Sequence, residues 1–432
     1  MKRKIVERLI SWKASTQRMP LLINGARQVG KTYTALTFGK EHYKNTAYFN
    51  MEDSSEIMSI FERDFDTDRI VRELSVKSGQ SIFKEDTLII FDEIQACERA
   101  LTSLKYFFEK APEYHIVAAG SLLGVALKRE KYSFPVGKVD MMTMYPLDFE
   151  EFLWATGNKA LCDLISEAYA DFTPLSLHDT AMDLYKRYLV VGGMPQVVQR
   201  YIETNDYDFV TAAQKSLNDA YIADMAKYAS PNETTKIMAA WASVPAQLAK
   251  ENHKFQYKVI KSGARAYEYE TPLDWLKSAG IINKCVLATQ GKMPLSAYAD
   301  NDSFKVYMVD TGLLCSKFDV AANVVIDSPH NFDGFKGALV ENYIMQTLVA
   351  SGINPYYWTS RGKAEVDFLF QDRQGNIIPL EGKSADNVRS KSLRTYIEAY
   401  KPVYAIRVSA KNFGFENNIK SIPLYALFCL KV

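Results

Sequence analysis

Residues Gly25–Thr32 read "GARQVGKT" and fit the spacing G-x-x-x-x-G-K-[ST]. Such a stretch can wrap phosphate groups. Its glycines let the backbone N–H groups of Gly25, Ala26, Arg27, Gln28, Val29 and Gly30 turn towards an anion. A helix opening just after the loop adds its positive end. Lys31 is then placed to reach the outer phosphates of a nucleoside triphosphate, and Thr32 to set its hydroxyl on Mg²⁺. The flanks suit this reading: strand-like "PLLIN" precedes the loop and helical "TYTALTFG" follows it.

A second stretch, "TLIIFDEIQ", runs four apolar residues into Asp92 and Glu93. Two acids at a strand end beside a phosphate loop divide the remaining chemistry. Asp92 suits Mg²⁺, and Glu93 suits polarising the attacking water. The strand-like "TAYFNM" falls between the two motifs in the chain. "VAAGS" ends a further strand and sets Ser121 on the γ-phosphate side, or makes it the N-cap of the next helix. Arg129 and Lys138 follow, as phosphate contacts or as ordinary surface cations.

The third group is near the C-terminus, in "EVDFLFQDRQGNIIPLEGK". It reads as a hairpin of two apolar strands. Alternation puts Glu381 and Lys383 on one face and groups Asp367 with Glu365. If the register brings Asp367 opposite the Glu381 end, two carboxylates and an ammonium converge. Buried charges of this kind are costly unless matched. A divalent metal such as Mg²⁺ offsets the carboxylates, and Lys383 can neutralise charge developing on a phosphate. The competing reading is a surface hairpin with an ion pair. Arg361 and Lys363, just before the first strand, could meet a backbone phosphate. Trp358 reads as core.

The rest of the chain must position these groups. At 432 residues it is long enough for two to four domains. A formal charge of +1 favours neither nucleic acid nor membrane as a bulk partner, so any basic surface must be local. No apolar run is long enough to span a bilayer. "MKRKIVERLISWKAS" reads as an amphipathic helix, not a signal peptide. The five cysteines form no CxxC pair. They are expected to be reduced, and the chain cytoplasmic.

Strand-like and helical runs alternate over residues 1–150, which predicts an α/β domain with a parallel sheet. Residues 151–210 turn helical. Within 211–320, three helices and a two-stranded ribbon ("IINKCVLAT", "FKVYMVD") read as a winged helix. Lys250, Lys254, Lys258, Lys261 and Arg265 would form one basic stripe if "ENHKF" did not interrupt the helix. Glu268, Glu270 and Asp274 on the next helix oppose deep entry into a DNA groove. This module therefore docks on DNA or packs between an ATPase and an effector. Asp310 reads as a turn-forming acid. A linker leads to residues 325–432, read as helix, three strands, helix and strand.

"RMPLLINGARQVGKT", "FDEIQ", "AAGSLLG", "YPLDFEEFL" and "YLVVGGMPQVV" resemble the AAA-type P-loop ATPases of bacteria and archaea. The resemblance implies ATP and Mg²⁺ as cofactors and a possible homo-oligomer. The family's Gly-Arg is Gly137-Lys138 here, so no arginine finger is carried over. "GGMP" resembles the lid element in which a proline packs near adenine. This implies that Gly193 and Pro195 report nucleotide state; the alternative is a helix-ending glycine followed by a proline stop. The last hundred residues resemble the PD-(D/E)xK nuclease superfamily. Asp367 matches its aspartate, Glu381-Gly382-Lys383 its ExK, and Glu341 the acid on the preceding helix. The resemblance implies metal ligation by Glu341, Asp367 and Glu381. An ATP-regulated, Mg²⁺-dependent nuclease acting on DNA is the expectation; the alternative is a nucleotide-switched binding protein that does not cut.

Overall fold

The computed structural model describes residues 1–53, 55–120, 135–250, 254–327, 333–360, 364–383 and 391–431. These form two compact units, one of residues 1–145 with 278–280, the other of residues 146–277 and 281–432. Among the described residues no helix is long and apolar enough to cross a membrane. All five cysteines are free, and four are buried.

In the first unit, strands β1 (Leu21–Asn24), β2 (Asn45–Asn50), β3 (Thr87–Asp92), β4 (His115–Ala119) and β5 (Asp140–Thr143) make one sheet in the order β2-β3-β4-β1-β5. Every pairing is parallel. The unbroken apolar run of β3 explains this: all its residues are buried, as they must be when helices cover both faces. Among the helices are α1 (Ile5–Ala14), α2 (Lys31–His42), α3 (Ser55–Glu62), α4 (Thr67–Ser78) and α5 (Glu98–Lys110). Helix α5 buries Ala100, Leu104 and Phe107, spaced by four and three, against this sheet's core.

The second unit opens with helices Phe149–Ala155, Lys159–Asp171, His178–Val191, Pro195–Thr204 and Tyr207–Tyr228. The first is set by a capping box between Asp148 and Glu151. Next come helices Pro231–Leu248, Tyr257–Ile260 and Ala266–Ser278, then an antiparallel ribbon of β6 (Ile282–Ala288) and β7 (Ala299–Met308). The basic stripe is therefore divided among separate pieces, as the interruption at "ENHKF" predicts.

The remaining strands are β8 (Tyr356–Thr359), β9 (Glu365–Gln371), β10 (Ile377–Gly382), β11 (Ala405–Ser409), β12 (Gly414–Glu416) and β13 (Ile419–Pro423). They do not stand apart from the ribbon. One eight-stranded sheet runs β12-β13-β11-β10-β9-β8-β6-β7. It is joined where Val286 and Leu287 of β6 pair in parallel with Tyr356 and Tyr357 of β8. The sequence places a boundary between residues 320 and 325; the sheet runs across it. A ribbon read from local alternation alone shows two strands and gives no sign of a third partner. Trp358 is core, edge-to-face with Tyr396 at a centroid distance of 5.1 Å.

"VVGGMP" and "VDTGLL" meet inside this unit. Asp310 is fully buried and caps helix Thr311–Phe318, accepting from Leu313 N–H at 2.9 Å. Its other oxygen accepts from Gly193 N–H at 2.6 Å. A Cβ on Gly192, where φ is +74°, would lie 2.3 Å from Asp310 Oδ1. One on Gly193 would lie 1.8 Å from the Leu147 carbonyl oxygen. The glycines are thus required for close approach, and Pro195 opens its helix at the first turn. This gives "GGMP" a packing role.

Burial pushes Asp310 up to about 6, against the lowering effect of its backbone donors. The folded chain therefore holds a proton that the unfolded chain releases between about pH 4 and 6. Stability from this group is greatest below that window and falls as pH rises through it, by about 3 kcal/mol in all. Urea denaturation across pH 4–7 should show this decline in the wild type and its absence in Asp310→Asn. Asp310→Ala leaves two buried N–H groups without an acceptor and should cost roughly 2–4 kcal/mol at pH 7.

Candidate functional site

The phosphate loop leaves the end of β1 through backbone that few residues tolerate. Gly25 has φ +136°, Gln28 +64° and Gly30 +95°. A Cβ on Gly25 would lie 2.1 Å from the Met144 carbonyl oxygen, so only glycine fits beside that backbone. Helix α2 starts at Lys31 and directs its N-terminus into the loop. Lys31 Nζ donates to the carbonyls of Gly25 at 3.0 Å and Ala26 at 2.8 Å, curling over the space the loop encloses. Arg3 braces the loop from behind. It is buried and donates to the Val29 carbonyl at 2.9 Å and the Tyr145 carbonyl at 2.6 Å.

Asp92 is buried at the end of β3 and faces Thr32. Its Oδ2 accepts from Thr32 Oγ1 and from Tyr48 Oη, each at 2.8 Å. The hydroxyl and the carboxylate thus stand close enough together for one hard cation to meet both. Burial and the Asp92 carboxylate hold the Tyr48 hydroxyl firmly protonated. Glu93 has φ +48°, the left-handed region that a side chain of its kind enters at a cost of order 1 kcal/mol. Its carboxylate is held by the Gln95 amide. A Cβ on Gly120 would lie 2.5 Å from Gln95 Oε1, so that glycine makes room for the holder.

Ser121 and Arg129 lie outside the described residues. Lys138 pairs with Glu109 at 3.2 Å, as an ordinary surface cation does. Pro195 belongs to the second unit, where its place is the one described above.

The second group assembles in the sheet of the second unit. Strand β10 runs antiparallel to β9, with Leu380 opposite Phe368. Continuing that register sets Glu381 beside Asp367. Gly382 N–H donates to Asp367 Oδ2 at 2.8 Å. A Cβ on Gly382 would lie 2.6 Å from Ile344 Cδ1 of helix Asp333–Ala350, so a larger middle residue in Glu-Gly-Lys would make that side-chain tip shift. The same helix supplies Glu341, whose Oε2 accepts from Tyr307 Oη at 2.9 Å. Glu381 Oε1 pairs with Lys383 Nζ at 2.7 Å.

Strand β7 adds a cation. Lys305 is completely buried, with Nζ 2.5 Å from Glu365 Oε1 and 3.5 Å from Glu341 Oε2. Burial works to lower its pKa, but Glu341, Glu365 and Asp367 outweigh that and raise it, so it stays charged. Asp367 is pushed well above the usual carboxylate range by burial first and then by Glu341; Lys305 opposes the shift. Burial also raises Glu381, with Lys383 working against it. Burial would lower Lys383, but Glu381 overrides this and raises it.

Glu341, Asp367 and Glu381 are thus brought into one neighbourhood without closing on a common point. Among the described residues no three His, Cys, Asp or Glu side chains stand together closely enough to hold a metal ion. This corrects the expected direct convergence. Like charges in a low-dielectric site repel, and each acid turns to its nearest lysine, hydroxyl or backbone N–H. The side chains that gather there offer only oxygen donors, the kind a hard divalent cation takes, but as they stand they do not close on a site for one. Arg361 and Lys363 lie outside the described residues.

Sequence reasoning did not single out Arg3, Tyr48, Gln95, Lys305 or Tyr307 for any of this. Lys305 carried a usable signal: it is the one charged residue in the run "FKVYMV".

Residues 17–153 match the family model described as an AAA domain. That stretch is an AAA-type P-loop ATPase domain. Residues 182–323 and 336–427 match two models, each described as a domain of unknown function, DUF8612 and DUF4143. No curated protein matches the chain. Several solved structures overlap with this chain at low similarity. A Walker-type ATPase of Pyrococcus abyssi shares 14% identity over 73% of this chain and 95% of its own, with a TM-score of 0.45. The Aeropyrum pernix ORC1 protein in complex with DNA shares 12% over 73% and 91%, at 0.29. Thermotoga maritima RuvB shares 13% over 68% and 90%, at 0.31. Overlaps this weak fix nothing finer about the chain.

Proposed function

We propose that this ATPase governs Mg²⁺-dependent cleavage of DNA by its C-terminal region. The observation that carries the reading is the acidic cluster: Asp367 on β9, Glu381-Gly382-Lys383 on β10 and Glu341 on the facing helix. Their order and spacing resemble the PD-(D/E)xK nucleases. In the ATPase unit, Lys31 and the loop N–H groups bind the triphosphate, and Thr32 and Asp92 hold its Mg²⁺. Glu93 orients the attacking water, with Gln95 fixing its carboxylate. In the second unit, Glu341, Asp367 and Glu381 would hold a divalent cation only by turning from their present lysine, hydroxyl and N–H partners towards one point, and Gly382 N–H holds Asp367 in that neighbourhood. The cation, when bound, supplies positive charge at the scissile phosphate and a lower barrier to attack by water. Lys383 neutralises charge that builds on the phosphate.

A second reading, a nucleotide-switched DNA-binding protein that does not cut, is favoured by one feature: Lys383 and Lys305 already occupy the acids. Labelled duplex, single-stranded, forked and four-way DNAs, incubated with Mg²⁺ or Mn²⁺ with and without ATP, separate the two. Cleavage that requires the metal and changes with ATP is expected. Intact DNA throughout, with binding that weakens steeply with salt, would establish the second reading instead.

A further inference from the structure

Strand β11 brings a further cation to the edge of the acidic cluster. Arg407 stands opposite Glu381 on β10 and opposite Ser421 on β13, in strands that run parallel. In-register neighbours in a sheet share a face, so Glu381, Arg407 and Ser421 form one row. Lys383 continues β10 on that face, its N–H donating to the Val408 carbonyl at 2.8 Å. Glu381 therefore has two cations beside it, and Lys383 is the one that meets its Oε1, at 2.7 Å. Burial raises the Glu381 carboxyl; the charge of Arg407, after that of Lys383, works against the rise.

Arg407 is half-buried, between the buried Ile406 and Val408. Its Nε is enclosed and has no acceptor. Among the described residues no hydrogen bond or ion pair holds its terminal nitrogens either. Other inward-set arginines of the chain are tied down. Arg69 pairs with Asp64 and Glu73. Arg3 leaves its Nε open but commits both terminal nitrogens, to the Val29 and Tyr145 carbonyls. An arginine kept for packing is fixed by such bonds, because an enclosed donor without an acceptor is costly.

We propose that Arg407 binds a backbone phosphate of DNA, one strand away from Glu381-Gly382-Lys383. This rests on the reading of DNA as the partner, in its cutting or its non-cutting form, and needs no metal. Lys383 answers the charge of Glu381, so the charge of Arg407 is left for an anion. A guanidinium held by no bond is free to turn its planar fork onto two oxygens of a phosphodiester, a match that a lysine ammonium does not offer. Ser421, half-buried in the same row, adds a hydroxyl beside it.

The test titrates the full chain against a fluorescently labelled DNA duplex in EDTA, by anisotropy, over a series of KCl concentrations. The melting temperature of each variant is measured alone. Arg407→Gln is expected to bind about tenfold more weakly at low salt. Its plot of log affinity against log salt should be shallower by about 0.9, the share of one phosphate contact. Arg407→Lys should keep the wild-type slope, because it keeps the charge, and still bind several-fold more weakly, because it lacks the fork. An arginine that only balances Glu381 would give Arg407→Gln a lower melting temperature and an unchanged salt slope, and that result would overturn the proposal. If Arg407→Gln does not fold, Arg407→Lys decides, and wild-type affinity in that variant would overturn the proposal as well. A wild type without salt-dependent DNA binding would remove the DNA reading itself, a distinct result.

Discussion

Lys31→Ala should reduce ATP hydrolysis about a thousandfold, equivalent to ~4 kcal/mol of transition-state stabilisation. Lys31 Nζ already lies over the loop, on the Gly25 and Ala26 carbonyls. Triphosphate oxygens would displace those carbonyls and receive the full charge of the ammonium. An alanine keeps the helix start and the loop backbone but leaves the β,γ-bridge without its cation. The fold should not suffer: Lys31 is only partly buried, and alanine suits a helix. Melting within a degree or two of wild type, with hydrolysis lost, is the expected pair of results. Glu93→Gln should differ in kind, retaining nucleotide binding while losing turnover. A steady-state phosphate-release assay beside a fluorescent-nucleotide titration checks both variants.

Asp367→Asn should abolish metal-dependent cleavage, again by roughly a thousandfold. The substitution keeps shape and an acceptor for Gly382 N–H but removes the charge that a divalent cation needs. It should also make the protein more stable. In the folded chain Asp367 is burdened by burial and by Glu341, so its folded affinity for a proton exceeds the unfolded one. Above the unfolded pKa the ionised form costs folding energy, and the neutral amide does not. A higher melting temperature together with lost cleavage is what a functional carboxylate predicts. An acid that merely stabilises a surface hairpin would show the opposite: a lower melting temperature. Denaturation in the presence of EDTA separates the two readings before any substrate is chosen.

The features legible in the sequence were those fixed by neighbours along the chain. The phosphate loop was readable because its glycines, lysine and threonine do their work within eight residues. The placement of Asp92 and Glu93 at the end of a buried strand was readable from the apolar run that leads into them. The strands carrying Asp367 and Glu381 were readable from alternation, "GGMP" stood out by its resemblance to a lid element, and Asp310 in "VDTGLL" as a turn-forming acid. What those stretches do was not readable, because Asp310 and Gly193 are separated by 117 residues and meet only in the folded chain. The Arg3 brace on Val29 is of the same kind, a long-range contact from an unremarkable basic N-terminus. The largest departure concerns β6 and β7. Their pairing with each other is local and was expected. The pairing of β6 with β8 depends on a single short parallel contact and is what carries Lys305, on the neighbouring β7, into the acidic cluster.

The most direct test of the account is one reaction mixture read two ways. Duplex and branched DNA are incubated with ATP and Mg²⁺, and DNA cleavage and phosphate release are followed for wild type, Asp367→Asn and Lys31→Ala. The account predicts that Asp367→Asn hydrolyses ATP at the wild-type rate and leaves the DNA whole, while Lys31→Ala loses hydrolysis and shifts the rate of cutting. DNA left whole by the wild type, or cut equally well by Asp367→Asn, would contradict it.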